Sequence, residues 1–393
     1  MNAENQSGML SQKLDQDEIY HLAVEFRRHF HSCPEISEQE WETQAFITGQ
    51  LDRYEIPYIT VGTGVVAVFG KGEKCVAIRG EMDALPVKEE TGLAYASARE
   101  GIMHACGHDM HLAMVLAVAV ALKKLEAGLD KVVKIIFQPS EEKRPGGARF
   151  LLPAVLKPPV PEAIFAQHVY PELPTGSVGI RPGAFFASSD NILFSVEGQG
   201  THAAMPQKGS DPILATACLI QFYQTLITKF RNPFIPAVLS ITAVHGGGAN
   251  NVIPDRVEVR GTMRTHDNAL RDRLFAYLDE KSETICGLYA CQFKRDKTAN
   301  GLPVLVNDKN LTTDFIKRAS FLIGKENVQL VDPLALGEDF AIYLQHIPGI
   351  IWLLGVRPPQ AESMPPLHSP KFAPDENAMR TGIKLLLESV LQA

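Results

Sequence analysis

The sequence predicts an α/β protein with a central mixed sheet flanked by helices and a smaller α+β unit inserted near its middle. Three observations lead there. Apolar, β-branched runs alternate with helical stretches up to about residue 168, the rhythm of a sheet with helices on both faces. Between 187 and 298 the order becomes β-α-β-β-α-β, the ferredoxin-like unit. After 299 the first rhythm resumes. The division is therefore 1–186, 187–298 and 299–393, with the outer segments forming one domain in two parts.

Taken in order, residues 17–53 read as helix, interrupted near Pro34. The runs 65–69 and 75–78 carry β-branched residues bounded by glycine and read as strands. Residues 110–125 are apolar on most faces, which suggests a buried helix. KVVKIIF (131–137) and the shorter run 163–168 are strands. The Pro-rich stretches 152–161 and 170–182 read as loops. In the insert, 192–197, 237–244, 257–264 and 289–294 are strands. Asp211 caps a helix that has Pro212 at its first position and ends near Lys229. A second helix covers 268–286. Beyond the insert come a helix at 309–323, a strand at 350–354 and a final helix from Glu376.

The chain has 393 residues, enough to bury a large core. Its net charge of −7, with no long basic run, argues against nucleic acid or an anionic membrane as partner. The N-terminal residues lack a basic stretch followed by an apolar one, so the expected location is the cytoplasm. Six scattered cysteines without a CxxC pair read as reduced thiols.

The densest chemistry lies in His104-Ala-Cys106-Gly-His108-Asp109-Met-His111, five titratable or metal-competent side chains within eight residues. Gly107 permits a turn that brings Cys106 and His108 toward one ion. The bland alternative is a polar loop before a buried helix. Next comes Gln138-Pro-Ser-Glu141-Glu142, directly after KVVKIIF. Adjacent carboxylates are ordinarily a solvated loop. At the carboxyl end of a core strand, one can bind a cation while the other moves protons. His168 and His368 each follow an apolar run or turn and are weak alone. Together they complete a mixed Cys/His/Glu set for one or two divalent ions. Asp83 follows a strand and reads either as a turn cap or as a carboxylate orienting a ligand imidazole. In the insert, GQGTHAAMP presents His202 between turn residues, and GGGANNVIPD presents Asn251; both side-chain types can donate to a developing oxyanion.

The motifs RGEMDALP, HACGHDMH, QPSEE, GxGxHAAMP, NNVIPD and GEDF, in that order, resemble those of the zinc-peptidase-like amidohydrolases. That family includes bacterial aminoacylases, hippurate hydrolase, N-acetyl-diaminopimelate deacetylase and plant auxin-conjugate hydrolases. The resemblance runs from Arg28-His29 to His368. It implies a zinc-exopeptidase-like catalytic domain with an inserted lid and dimerisation domain. It also implies that Cys106 bridges two metal ions, that His108, Glu142, His168 and His368 complete the ligands, and that Glu141 is the general base. Asp83 would support His108. His202 would reach the active site of a partner subunit in a homodimer, Asn251 would lie near substrate, and Arg264 would hold a substrate carboxylate. One departure is Gly337, where the family has serine before Glu-Asp-Phe; it bears on substrate identity.

The expected activity is hydrolysis of the amide bond in an N-acyl amino acid or related small conjugate by metal-activated water. The alternative is a metallo-carboxypeptidase or dipeptidase acting on short peptides. A binding protein without catalysis and a hydrolase using Cys106 as nucleophile are the readings from other classes. The ions expected are zinc or manganese, with cobalt or nickel also suited to a Cys/His/Glu site.

Overall fold

The computed structural model describes residues 14–296 and 301–393. They form two compact units. The first comprises 14–183, 306–332 and 342–393; the second comprises 184–305 and 333–341. The second unit thus begins slightly before 187, ends slightly after 298, and includes a later segment, 333–341, that sequence order alone assigns elsewhere.

The first unit is built on an eight-stranded mixed sheet. Its order is Tyr58–Val61, Gly64–Gly70, Lys131–Gln138, Lys74–Glu81, Ala163–Pro174, Gly349–Arg357, Val178–Ile180 and Val328–Leu330. The four central strands, from Lys131–Gln138 to Gly349–Arg357, run parallel. Every residue of Cys75–Glu81 and of Gly349–Val356 is buried, so both faces of the sheet are covered there. The helix His108–Lys124 packs on Lys74–Glu81 and against the helices Gln16–Ser32 and Ala378–Gln392. It is buried from His108 to Leu122, which explains its nearly unbroken apolar sequence.

Both Pro-rich stretches contain regular structure that the sequence reading left as loop. Ala148–Val155 is a helix with Pro153 inside it. A proline in so short a helix removes a single hydrogen bond, and burial of Leu151, Ala154 and Val155 outweighs that loss. The strand Ala163–Pro174 continues through Pro171. Its ladder with Gly349–Arg357 is irregular past Tyr170, where a missing N–H costs least. The interruption at Pro34 separates Gln16–Ser32 from Trp41–Arg53.

In the second unit the strands Asp190–Glu197, Ala237–Gly246, Arg256–Thr265 and Gln292–Arg295 form an antiparallel sheet. The helices Pro212–Lys229 and Asn268–Leu288 complete the β-α-β-β-α-β order. The helices share one core with the sheet, built from Ile192, Phe194, Val196, Leu219, Tyr223 and Leu274. Asp211 accepts from Leu214 N at 2.9 Å, the cap expected there. No described helix is long and apolar enough to cross a membrane.

Candidate metal centre

The parallel strands of the first unit bring the chemistry together at their carboxyl ends, the usual binding edge of an α/β sheet. Lys74–Glu81 ends just before Asp83, Lys131–Gln138 ends just before Glu141 and Glu142, and His168 lies within Ala163–Pro174. Facing them is the N-terminus of His108–Lys124. Gly107 precedes it with φ 81°, and a Cβ there would stand 2.4 Å from Val169 Cγ2. Only glycine gives this turn between Cys106 and His108 without strain.

All five side chains expected as ligands meet in this unit. Ligand atoms of Cys106, Glu142 and His368 lie within 4.8 Å of one another, as do those of His108, Glu141 and Glu142. Cys106 Sγ is 3.6 Å from His168 Nε2. His368 Nε2 is 3.3 Å from Glu142 Oε1. Although His368 follows Cys106 by more than 260 residues, its N–H donates to Ala105 O at 2.8 Å, which ties the C-terminal turn to the cluster. His368 and Ser140 both hold positive φ, 67° and 55°, a cost that persists where packing imposes it.

The donor types suit a divalent ion. Burial pushes His168 down to about 3, so its imidazole is neutral. Its Nδ1 is 2.8 Å from Val169 O and donates there, leaving the Nε2 lone pair toward Cys106. His108 Nε2 is buried and makes no hydrogen bond among the described residues, while its Nδ1 donates to Asp83 O at 2.9 Å. Burial and then Glu142 push the Cys106 thiol well up, and an adjacent cation is what would return it to thiolate. Burial raises Glu142, but its contact with His368 prevails and holds it below the ordinary carboxylate value. The neutral His168 imidazole, carboxylates and a thiol around the orphaned buried His108 nitrogen are a donor set that fits a divalent metal.

Asp83 contacts His108 through both its backbone carbonyl and its carboxylate. The shorter bond to His108 Nδ1 comes from the Asp83 backbone carbonyl; the carboxylate is 3.4 Å away. Its two oxygens accept from the N–H groups of Glu141 and Glu142 at 3.1 and 3.0 Å, and Ser37 Oγ donates to it at 2.7 Å. Asp83 therefore holds the Glu-Glu pair by its backbone. Glu40 supports the same turn by accepting from Ser140 N at 2.9 Å, across a separation of 100 residues that leaves no local sequence signal. Asp109, next to His108, is buried against Arg27 at 3.1 Å and His31 at 2.9 Å. Despite burial, which lowers it, Asp109 lifts His31 to about 9.

His202 and Asn251 lie in the second unit. Thr201–His202 pairs with Val252–Ile253, so two motifs some 50 residues apart in sequence become neighbours, with Ala203 N donating to Asn251 O at 2.9 Å. His202 is exposed. Arg264 is eight residues along Arg256–Thr265 from Arg256, roughly 25 Å by strand rise, so the fold of this unit does not set it beside them.

The model of peptidase family M20/M25/M40 matches residues 77–392. The chain belongs to that family. It is accordingly a hydrolase acting on carbon–nitrogen bonds. It is 36% identical over 372 residues to the N-acetyl-L-cysteine deacetylase of Bacillus subtilis, covering 93% of this chain and 86% of that protein. It is 34% identical over 378 residues to the N-acetyldiaminopimelate deacetylase of Enterococcus faecalis, covering 94% and 96%. A solved Bacillus subtilis structure, described as a dinuclear metal-binding peptidase of family M20, matches with TM-score 0.80 and 32% identity over 96% of this chain and 99% of that one. The candidate metal centre described above is therefore that of a family that contains a two-metal member.

Proposed function

We propose that the protein is an amidohydrolase that cuts the amide bond of an N-acyl amino acid or a related small conjugate, using one or two zinc or manganese ions. The observation that carries this is the pair Glu141-Glu142. Both backbone N–H groups are held by Asp83, which keeps the two carboxylates side by side next to the Cys/His donors, one to bind the ion and the other to move protons. The deacetylase names of two relatives support this substrate class. The residues that would hold the ions are Cys106, His108, Glu142, His168 and His368.

A divalent ion bound there would lower the pKa of water toward neutrality and polarise the substrate carbonyl. Glu141 takes the proton from the attacking water and returns it to the leaving amine. Asp83 keeps Glu141 and Glu142 from rotating apart by holding their backbone. The peptidase description of the Bacillus subtilis structure supports cleavage of short peptides as a second reading. N-acetyl and N-benzoyl amino acids assayed beside dipeptides, with chelated enzyme resupplied with single metals, separate the two. Release of amino acid from one acyl class after metal addition is the expected result. Cleavage of dipeptides alone would move the assignment to the peptidase reading.

We further propose a homodimer formed through the second unit, in which His202 stabilises the oxyanion in the partner's site, with Asn251 near substrate and Arg264 on a substrate carboxylate. The support is the match of His202 and Asn251 to the family motifs. His202→Ala mixed with Glu141→Gln should then recover about a quarter of wild-type activity, because random exchange makes about half the molecules heterodimers with one complete site. No recovery despite measured subunit exchange would remove the in-trans role.

A further inference from the structure

His111 is the one histidine of the HACGHDMH motif that faces the metal cluster without a role in the reading above. Its ring lies 4.7 Å from that of His168 and 5.6 Å from that of His108. One ligand atom from each of Glu81, His108, His111 and His168 falls within a 4.8 Å sphere of the others, which by distance alone would make His111 a ligand.

The hydrogen bonds decide otherwise. Val169 N is 2.8 Å from His111 Nε2, and a backbone N–H can only donate. Nε2 is therefore the unprotonated nitrogen. The proton is on Nδ1, which donates to Glu81 Oε2 at 3.1 Å. Both ring nitrogens are spent, and no lone pair is left for an ion. Glu81 is fixed in turn by Arg79, whose Nε donates to Gln138 Oε1 at 3.0 Å. Burial alone would raise Glu81, but Arg79 and then His111 hold it well below the ordinary value, so it stays ionised.

The bond to Val169 matters because of where that residue lies. The ladder joining Ala163–Pro174 to Lys74–Glu81 ends at the pair Ile78 and Phe165. His168 and Val169 are beyond it: they pair with Leu353 and Leu354 on the other side, and on this side the bond to His111 takes the place of the ladder. Val169 N–H belongs to the peptide that follows His168, and Val169 O accepts the Nδ1 proton of His168. Fixing this stretch of backbone fixes the direction of His168 Nε2.

We propose that Glu81 and His111 form a positioning clamp that orients His168 toward the metal through the Val169 backbone, without either residue touching the ion. The proposal rests on His168 being a metal ligand. Its test is cobalt titration of the chelator-treated full-length protein, read as dissociation constants and visible bands, with apo thermal midpoints alongside. H111L removes the acceptor for Val169 N–H and should weaken one cobalt ion by about 10–100-fold and change its bands. H111Q sets a carboxamide oxygen near the Nε2 position and should regain most of that affinity. Wild-type affinity and bands in H111L would overturn the clamp. Equal loss in H111Q and H111L would overturn it too, because it would make His111 a ligand. Should H111L not fold, H111N replaces it: asparagine reaches Glu81 but not Val169, so H111N should bind weakly and H111Q well, and equal binding overturns the proposal. Wild-type protein that binds no cobalt would instead sink the metal reading itself, and the clamp with it.

Discussion

Glu141→Gln keeps its fold and its metal content and loses about 10²–10⁴-fold in kcat, the usual contribution of a positioned acid–base group. Glutamine matches glutamate in shape, so the N–H bonds from residues 141 and 142 to Asp83 survive the change. The carboxylate proposed as ligand is that of Glu142, whose contact with His368 is untouched. What is lost is the ability to accept a proton from water and deliver it to the amine. Metal content by mass spectrometry together with kcat on the best acyl substrate checks this. Turnover within a few-fold of wild type would show that another group carries the proton.

Cys106→Ala loses metal and, with it, activity. The sulfur is buried, lies 3.6 Å from His168 Nε2 and groups with Glu142 and His368. If it is a direct ligand, as proposed, its loss should cost more affinity than the roughly 10–100-fold typical of an outer-shell partner. The apo protein should melt near the wild-type temperature, since Cys to Ala removes one small buried atom. The same variant separates metal catalysis from a cysteine nucleophile. Both lose activity on mutation, but only the metal enzyme is silenced by chelation and restored by zinc or manganese. Activity that persists in chelator, or a Cys106→Ala protein that keeps two ions at wild-type affinity, would refute the assignment.

Much of the fold could be read locally. The core strand Lys131–Gln138 is a run rich in β-branched residues, and the buried helix after Gly107 is apolar because neighbours cover it from His108 to Leu122. The misread segments are those where proline suggested a break and burial overrode it, at Pro153 and Pro171. Residue type and spacing also marked the donors: Cys106 with His108, Glu141 with Glu142, and the single histidines at 168 and 368.

The supports of those donors could not be read in this way. Asp83 acts on the Glu-Glu turn 58 residues later, Glu40 on Ser140 across 100 residues, and His111 on Val169 across 58. The sequence by itself determined the inventory of donors and the order of strands and helices, because periodicity and side-chain chemistry are properties of neighbouring residues. Only the tertiary structure decided which carbonyl, carboxylate or imidazole braces each donor. Those pairings follow from the order of strands within the sheet, with Lys74–Glu81 set between Lys131–Gln138 and Ala163–Pro174, and that order is a choice of non-local packing.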